Sequence, residues 1–497
     1  MHKSIANFVR VSALGVNCLF VVTTGAEAQA IPESLVRDDR IGVCTHFSQN
    51  WSVEQIMPLI ARSGAGWIRD DLGWGGMEPK PGLYQIPSKT KSWIHAARRA
   101  GLKIDLILAY GNPAYADHYD TAAYAKAAGW LAREVANDVQ AIEILNEPNN
   151  FGFRDIYGGQ WNGNERNGSV SPYLQKYVQL LNAAAKEIKL ANPNMTVIGL
   201  GAPAPASFRM LALGLAPQVD GLTDHPYGVQ MPELVPYAAT PDILQRDGIA
   251  TADAKGTFAS QVSMFRAQAR KWGATEKLWH TEWGYSTVRA KPDKHQQGTS
   301  EETQAVYILR RILESNAIGV EHTFIYNFKN DGVDPYSDYE NFGLVKNDLS
   351  PKRSYFALQR VIRFLAGMGT APPAKQASIV NDPTVEKDGL GHQCYTFSSP
   401  DEQRTVVAFW EAKPWDPSAT TANSVITLPL AHEPRHVLLY DLLSGNQIEI
   451  PWKRSEDVSE EAPPMSQSKD RARAKSDNRI SIKVSISGAP KLLIARS

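Results

Sequence analysis

The chain has 497 residues, of which 43% are hydrophobic and 21% charged, a composition typical of a globular protein and not of a disordered or fibrous one. Lys plus Arg and Asp plus Glu number 52 each, so no excess charge points to nucleic acid or an anionic membrane as partner. The length exceeds one average domain and suits a large barrel with a smaller domain attached.

The first 30 residues have the pattern of a secretory signal peptide. Lys3 and Arg10 flank the N-terminal side of a short apolar stretch, VSALGVNCLFVVTT, and small residues at Ala28 and Ala30 form a cleavage pattern. This pattern predicts export to the periplasm or the medium; the alternative is an uncleaved anchor. No later apolar run is long enough to span a bilayer, so no membrane span is predicted in the mature chain.

Short apolar segments alternate with longer amphipathic segments over residues 31–366. Eight strands are predicted at 40–47, 66–72, 103–111, 140–147, 195–203, 219–228, 277–286 and 320–328, with helices such as 121–137, 171–191 and 300–317 between them. This alternation predicts an α/β fold, a (β/α)8 TIM barrel. An open doubly wound sheet gives the same alternation, but the Gly-rich phosphate loop that often accompanies it is absent from the sequence.

The pattern changes after residue 366. Strand signals at 394–399, 405–412, 424–430, 436–450 and 479–486 follow a linker-like AGMGTAPPAK. They predict a C-terminal antiparallel β-sandwich over 367–497. Residues 453–478 are charged, rich in Pro and Ser and nearly free of apolar residues, which predicts a disordered insertion between two strands.

Polar side chains follow most of the predicted barrel strands, at the end where barrel enzymes carry their chemistry. They are His46, Arg69, Asp70, Asp71, Tyr110, Asn112, Asn146, Glu147, His225, Tyr227, Glu282, Tyr326 and Asn327. Two carboxylates stand out, since Glu147 follows strand four and Glu282 follows strand seven, on opposite sides of the barrel mouth. Cleavage of a glycosidic bond needs such a pair, one protonated and one ionised. With no HExxH motif and scattered histidines, neither a metal nor a cofactor is predicted.

Two motifs carry a resemblance to a known group of enzymes. ILNEPNN (144–150) and LWHTEWGYS (278–286) resemble the acid/base and nucleophile segments of the clan A retaining glycoside hydrolases. Within the clan, the chain is most similar to family 39, which includes β-xylosidases and α-L-iduronidases, and to related glycosidases of bacterial exopolysaccharide systems. GVCTHF (42–47) and GLVKNDLSPKRSYFAL (343–358) extend the resemblance over most of residues 40–366.

The resemblance implies roles for both carboxylates. Glu147 would be the general acid/base and Glu282 the nucleophile, with carboxyl groups about 5–5.5 Å apart as in a retaining mechanism. Arg69 and Tyr227 would stabilise the ionised nucleophile, and Glu147, facing that anion, would be pushed toward its acid form.

Other residues are expected to bind substrate. The expected contacts are Asn146 with the sugar 2-hydroxyl, and His225, Tyr110, Trp74, Trp283 and Tyr326 around the sugar, with Trp51 and Trp161 as further stacking candidates. Asn146 and Glu147 are neighbours, so both can face the sugar only if the strand end is distorted. His280 has the same parity as Glu282 and is expected to point inward one layer lower.

These observations predict an exported retaining glycoside hydrolase, monomeric, that cleaves β-glycosidic bonds inside a bacterial exopolysaccharide. An exo-acting β-xylosidase-like enzyme and a transglycosylase remain open, because two glutamates do not determine whether water or sugar resolves the covalent intermediate. A catalytically weak polysaccharide-binding or assembly protein is the alternative of another class. A close carboxylate pair favours catalysis, whereas widely separated carboxylates with exposed tryptophans favour binding.

Overall fold

A computed structural model of the chain describes residues 36–228, 230–290, 298–380, 390–419, 421–455 and 479–496. The predicted signal peptide at 1–30 lies outside these residues, as does most of the predicted insertion at 453–478. Within the described residues, no helix combines the length and the apolar character needed to cross a membrane.

Eight parallel strands form a closed barrel in which each strand pairs with the next and β1 pairs with β8. They are β1 (Asp38–Cys44), β2 (Ala65–Gly73), β3 (Lys103–Ala109), β4 (Ala141–Ile144), β5 (Thr196–Leu200), β6 (Gly221–Asp224), β7 (Leu278–Trp283) and β8 (His322–Ile325). All eight predicted strands are present, and the predicted TIM barrel is confirmed.

The helices connect these strands. They are α1 (Val53–Ser63), α2 (Trp74–Met77), α3 (Ser88–Arg99), α4 (Thr121–Glu134), α5 (Phe153–Tyr157), α6 (Pro172–Ala191), α7 (Ala204–Leu213), α8 (Pro241–Asp247), α9 (Phe258–Lys271), α10 (Glu301–Ala317) and α11 (Arg353–Leu365). Helix α6 begins with Pro172, whose missing N–H costs nothing in the first turn. Helix α10 begins after Ser300, whose side chain accepts a hydrogen bond from the Thr303 N–H.

The barrel interior is apolar at its base and polar toward the mouth. Trp67, Trp279 and Phe324 pack together at the base, where the Trp67 and Trp279 ring centroids lie 5.4 Å apart. Arg69 and Glu143 are buried above this apolar layer and bond to each other. The apolar layer therefore closes the base of the barrel interior, and the buried Arg69–Glu143 pair lies on the side of the C-terminal strand ends.

Two antiparallel sheets follow the barrel. Their strands are β9 (Gly369–Thr370), β10 (Ser378–Val380), β11 (His392–Ser398), β12 (Arg404–Glu411), β13 (Ala422–Pro429), β14 (His436–Asp441), β15 (Gln447–Glu449), β16 (Lys453–Arg454), β17 (Arg479–Ile486) and β18 (Lys491–Arg496). One sheet has the order β10-β13-β17-β16 and the other β15-β14-β18-β12-β11-β9.

An apolar core joins the two sheets, and the predicted sandwich is confirmed. Ile480, Ile482, Val484 and Ile486 alternate along β17 and pack with residues of the six-stranded sheet such as Phe409. The expectation that the insertion begins at 453 is wrong, because β16 pairs with β17. The predicted domain boundary at 366/367 stays a prediction; α11 ends at Leu365 and β9 begins at Gly369.

The six-stranded sheet packs its other face on the barrel. Trp410 of β12 donates its indole N–H to Glu233 Oε1 at 2.6 Å, and Glu233 lies in the segment between β6 and α8. Arg310 of α10 donates to the carbonyl groups of Gly488, Lys413 and Glu411 at 2.8, 2.9 and 3.0 Å. Buried polar contacts thus connect the sandwich to the segment between β6 and α8 and to helix α10.

Candidate active site

The end of β4 is distorted, which places Asn146 at the cavity of the barrel mouth and Glu147 beside His225. The strand stops at Ile144, and both Leu145 (φ 59°) and Glu147 (φ 43°) adopt left-handed backbone conformations that side chains other than glycine rarely take. Asn146 lines the cavity at the barrel mouth, and Glu147 reaches His225 on β6's C-terminal side. The distortion expected from the two adjacent polar residues is present.

The end of β7 is irregular as well, and here one expectation is wrong. The pairing of β7 with β8 shifts register between His280 and Trp283. Thr281 therefore points into the barrel, where it donates to Glu143 Oε1 at 3.1 Å, while His280 packs against Phe258 of α9. His280 does not point inward below Glu282, because the irregularity breaks the parity between them. Burial lowers the pKa of His280 well below its ordinary value, so this ring is neutral.

Arg69 connects three acidic or polar groups beneath the mouth. Its Nε lies 2.6 Å from Glu143 Oε2, its Nη1 lies 2.7 Å from Glu282 Oε1, and its Nη2 donates to Asn146 Oδ1 at 3.0 Å. Burial and the neighbouring Glu143 carboxyl group raise the pKa of Asp105, which lies 3.7 Å from Arg69 Nε, well above its ordinary value. One guanidinium is thus shared between two carboxylates, and it orients Glu282 from below.

His225 lies between the two candidate catalytic carboxylates. Its Nδ1 is 2.9 Å from Glu147 Oε1 and 3.7 Å from Glu282 Oε2, and its Nε2 is 3.1 Å from Thr281 Oγ1. Tyr227 donates its hydroxyl to Glu282 Oε2 at 3.1 Å. One carboxylate oxygen of Glu147 and one of Glu282 lie within 4.8 Å of each other. This is the close range of a retaining pair, shorter than the roughly 6.5–9.5 Å of inverting enzymes.

The imidazole changes the protonation expected for Glu147. Burial opposes charge on His225, but the neighbouring Glu282 and Glu147 carboxylates raise its pKa above the ordinary value. Burial alone would raise the pKa of Glu147, but the hydrogen bond from His225 and its charge lower that pKa. The expectation that Glu282 pushes free Glu147 toward its acid form is therefore wrong. The titrations of the two side chains are coupled, so a proton bound here belongs to the His225–Glu147 pair and not to one residue.

Glu147, His225 and Glu282 also form a group of the kind that can bind a metal ion, the one such group found among the described residues. Their facing atoms are, however, engaged with one another: His225 Nδ1 bonds Glu147, and Tyr227 and Arg69 each bond one oxygen of Glu282. Such an arrangement suits proton transfer, and the orientation of the Glu282 carboxylate, more than metal coordination.

A cavity of about 150 Å³ opens at the barrel mouth. It is lined by Cys44, Thr45, His46, Gln49, Arg69, Asp70, Asp71, Ile107, Tyr110, Asn146, Phe151, Glu282 and Tyr326. Of the residues expected to bind substrate, Arg69, Tyr110, Asn146 and Tyr326 line this cavity, and His225 and Tyr227 reach Glu282 beside it.

The tryptophans expected to stack on sugar do not line the cavity. Trp74 is fully buried, stacks on Tyr115 and donates its indole N–H to Glu78. Trp283 is buried and donates to Thr323. Trp51 packs on His46, and Trp161 lies under the Arg246 guanidinium. A tryptophan near a strand end in sequence can pack inside the fold instead of facing the cavity, and Trp74 and Trp283 do so.

Two aromatic side chains are exposed at the mouth: Tyr110, which was expected to contact the sugar, and Phe151, which the sequence analysis did not name. Tyr110 is 40% exposed and Phe151 51% exposed, with ring centroids 6.3 Å apart. Glu143 was also missed, although it has the same strand parity as inward-facing Ala141 in AIEIL. A carboxylate on the inner face of an otherwise apolar strand was the signal that could have indicated it.

Comparison with solved structures identifies the fold. A family 39 glycoside hydrolase from Bacteroides cellulosilyticus WH2 matches with a TM-score of 0.66 and 21% identity, over 93% of this chain and 81% of that one. A glucosidase from Croceicoccus marinus has a TM-score of 0.56 and 14% identity, over 93% and 96% of the two chains. A GH30 endoxylanase from Clostridium papyrosolvens C71 has a TM-score of 0.51 and 11% identity, over 93% and 97%.

No protein-family model matches the chain, and no curated protein matches it. The chain therefore has the barrel-and-sandwich fold found in glycoside hydrolases of several families, family 39 among them. The resemblance noted in the sequence is confirmed at the level of the fold. At these identities the comparison establishes the architecture, and the chemistry has to be argued from the side chains at the mouth.

Proposed function

We propose that the protein is a retaining glycoside hydrolase that cleaves β-glycosidic bonds by double displacement. The observation that carries the proposal is the close pair of carboxylates on β4 and β7, with oxygens within 4.8 Å of each other. Glu282 receives one hydrogen bond on each oxygen, from Arg69 and from Tyr227. These donors hold the carboxylate in a fixed orientation for attack.

The proposed reaction has two steps. An oxygen of Glu282 attacks the anomeric carbon, and the bond to the leaving oxygen breaks as that oxygen takes a proton from Glu147. His225, 2.9 Å from Glu147, supplies the pair with that proton. In the second step Glu147 removes a proton from water, the resulting hydroxide attacks the anomeric carbon, and Glu282 leaves as a carboxylate.

The substrate we propose is an extended glycan, a bacterial exopolysaccharide, cleaved internally by a monomeric enzyme. Support comes from the exposed pair Tyr110 and Phe151 beside the small cavity, since aromatic faces bind successive sugar rings outside a donor subsite. The tryptophan argument for a long groove does not contribute, because none of those side chains lines the cavity. Export to the periplasm or medium, predicted from residues 1–30, would place the enzyme where such polymers occur.

The alternatives predict different products. A transglycosylase would use the same carboxylates and pass the glycosyl group to sugar, and an exo-acting enzyme would release monosaccharide from the start. The close carboxylate pair disfavours a protein that only binds polysaccharide, since binding alone gives no reason to bury and orient Glu282.

Substitution of the two carboxylates tests the proposal. Glu282→Gln should abolish turnover of every glycoside, because the nucleophile is lost. Glu147→Gln should lower kcat/KM by about 10²–10⁴-fold on glycosides with poor leaving groups and spare the first step on 2,4-dinitrophenyl glycosides, which need no proton. Glu134→Gln, on an exposed position of α4, is the matched control. Full activity of Glu282→Gln on a confirmed substrate would contradict the proposal.

The mode of action has its own measurement. Viscosity and reducing ends should be followed together during digestion of a panel of bacterial polysaccharides, with sizing of the products. Internal cleavage lowers viscosity early and gives oligosaccharides. A slow loss of viscosity with free monosaccharide from the first minutes would contradict endo action while leaving the retaining mechanism intact.

A further inference from the structure

Two consecutive aspartates at the end of β2 have different tasks. Asp70 accepts hydrogen bonds from the Thr45 hydroxyl at 2.8 Å and from the backbone N–H groups of Phe47 and Ser48 at 2.6 and 3.2 Å. Its carboxylate is therefore used to hold the loop that follows β1. Asp71 has no such loop contact among the described residues, and its side chain lines the cavity at the mouth.

Tyr110 holds the Asp71 carboxylate in place. The Tyr110 hydroxyl donates to Asp71 Oδ2 at 3.0 Å, and both side chains line the same cavity as Glu282. Within the described part of the chain no hydrogen bond to Asp71 Oδ1 is found. One oxygen of a positioned carboxylate thus remains available to a molecule bound in the cavity.

The cations around this cavity are already paired. Arg69 bonds Glu143, Glu282 and Asn146, as described above. His46 lies 2.8 Å from Asp331. Three carboxylates line the cavity, and of these Asp70 is hydrogen-bonded to the loop after β1. Asp71 and Glu282 face the cavity with no unpaired cation among its described lining residues. Burial and the nearby Asp70 charge raise the pKa of Asp71 to about 6, so this carboxylate is mostly ionised at neutral pH.

We propose that Asp71, positioned by Tyr110, determines which sugar the donor cavity accepts: it receives a hydrogen bond from a hydroxyl group of a neutral sugar and excludes a uronic acid. This inference rests on the proposed glycosidase function. A charged acceptor bonds a hydroxyl donor strongly. A uronate would bring a third carboxylate close to Asp71 and Glu282 without a cation to receive it, which raises the free energy of the bound state.

The selectivity is tested with aryl β-glycosides that share a leaving group and differ only at C6, a glucoside with its glucuronide and a galactoside with its galacturonide. The wild-type protein should prefer the neutral member of each pair that it cleaves by at least about 100-fold in kcat/KM. Asp71→Asn should lower kcat/KM for the neutral member by about 10- to 100-fold and narrow the preference by about tenfold or more.

Two further variants separate charge from position. Tyr110→Phe keeps the charge of Asp71 and removes the hydrogen bond that positions its carboxylate. This variant should therefore cleave the neutral glycoside more slowly and still exclude the uronide. Asp155→Asn, on the exposed surface of α5, is the matched control. It should change neither kcat/KM for the neutral glycoside nor the ratio of kcat/KM between the neutral glycoside and the uronide. Equal cleavage of both members by the wild-type protein, or an unchanged ratio in Asp71→Asn, would overturn the inference.

A binding measurement distinguishes failure of this inference from failure of the proposed function. Calorimetric titration of Glu282→Gln, with and without Asp71→Asn, compares cellotetraose and galactotetraose with their C6-oxidised counterparts. If the wild-type protein cleaves no glycoside, the proposed function fails. Tighter binding of the neutral tetrasaccharides than of their oxidised counterparts, lost in Asp71→Asn, would still support the role of Asp71. Equal affinities in both backgrounds overturn it whatever the catalytic result.

Discussion

At the scale of single residues, the position of His225 decides how the site handles protons. Its Nδ1 bonds Glu147 and lies 3.7 Å from Glu282, so one imidazole influences both carboxylates. A proton shared in this way belongs to the pair and not to one residue. The position also explains why Glu147, the proposed acid, has a lowered pKa in the free protein.

His225→Asn should move the alkaline limb of the pH profile of kcat/KM to lower pH. In the wild-type protein the shared proton is lost only as the pH rises through the pKa of His225, which the neighbouring carboxylates raise above its ordinary value. In the variant the proton donor is Glu147 alone, a carboxyl group whose ordinary pKa lies below that of an imidazole. A proton donor is lost as the pH rises through its pKa, so the loss of activity should begin at lower pH.

The measurement is kcat/KM against pH for a glycoside whose cleavage requires protonation of the leaving group. A 2,4-dinitrophenyl glycoside is the control, because its departure needs no proton and its alkaline limb should stay in place. An alkaline limb that stays in place or moves to higher pH in His225→Asn would contradict the assignment of the shared proton.

At the scale of elements, the site depends on strands that end irregularly. Strand β4 ends in left-handed conformations at Leu145 and Glu147, and β7 shifts register before Trp283. The first irregularity places Glu147 against His225, and the second places Glu282 at the cavity. Regular pleating at both strand ends would not give these orientations. Residue Gly284, directly after β7, is part of this arrangement because the backbone of Tyr326 passes against it.

Gly284→Ala should destabilise the fold and impair catalysis together. A Cβ atom at this position would lie 1.9 Å from the Tyr326 carbonyl oxygen, so the backbone after β8 must move. Overpacking of this kind costs about 1–3 kcal/mol, and the movement displaces Tyr326, which lines the cavity. Chemical denaturation and kcat on an aryl glycoside measure the two effects.

Gly369→Ala is the matched control for this change. No atom lies within 4 Å of a Cβ built at Gly369, so the free energy of unfolding and kcat should both stay close to the wild-type values. A Gly284→Ala protein with wild-type stability and activity would show that β7 and β8 are less tightly packed at their ends than the geometry indicates.

At the scale of the whole molecule, the sandwich and the barrel share a buried polar contact. Glu233 is buried and accepts the Trp410 indole N–H at 2.6 Å, with Arg310 Nη1 at 3.6 Å from its other oxygen. Glu233 belongs to the same segment after β6 as His225 and Tyr227. The sandwich thus supports, through one side chain, the segment that supplies two residues of the candidate site.

Trp410→Phe should lower the free energy of unfolding by about 1–3 kcal/mol, because a buried carboxylate loses its hydrogen-bond donor. Trp272→Phe is the control; that side chain is 44% exposed at the end of α9, and the change should stay within about 0.5 kcal/mol. Urea denaturation measures both. Equal stability of the two variants would mean that the Glu233 contact does not stabilise the fold.

The sequence by itself determined the barrel, the sandwich and the positions of Glu147 and Glu282 at strand ends. These features follow from patterns within one segment: apolar runs of strand length, amphipathic runs of helix length and polar residues where a strand stops. The adjacency of Asn146 and Glu147 even indicated a distorted strand end, because regular pleating cannot turn two neighbours to one face.

Only the tertiary structure decided what each side chain contacts. His280 faces α9 because β7 shifts register against β8, and Trp74 and Trp283 are buried because their indoles find partners inside the fold. His225 lowers the pKa of Glu147 across 78 positions of sequence. Register and distance between separate segments depend on how the whole barrel closes, and no local pattern of residues records them.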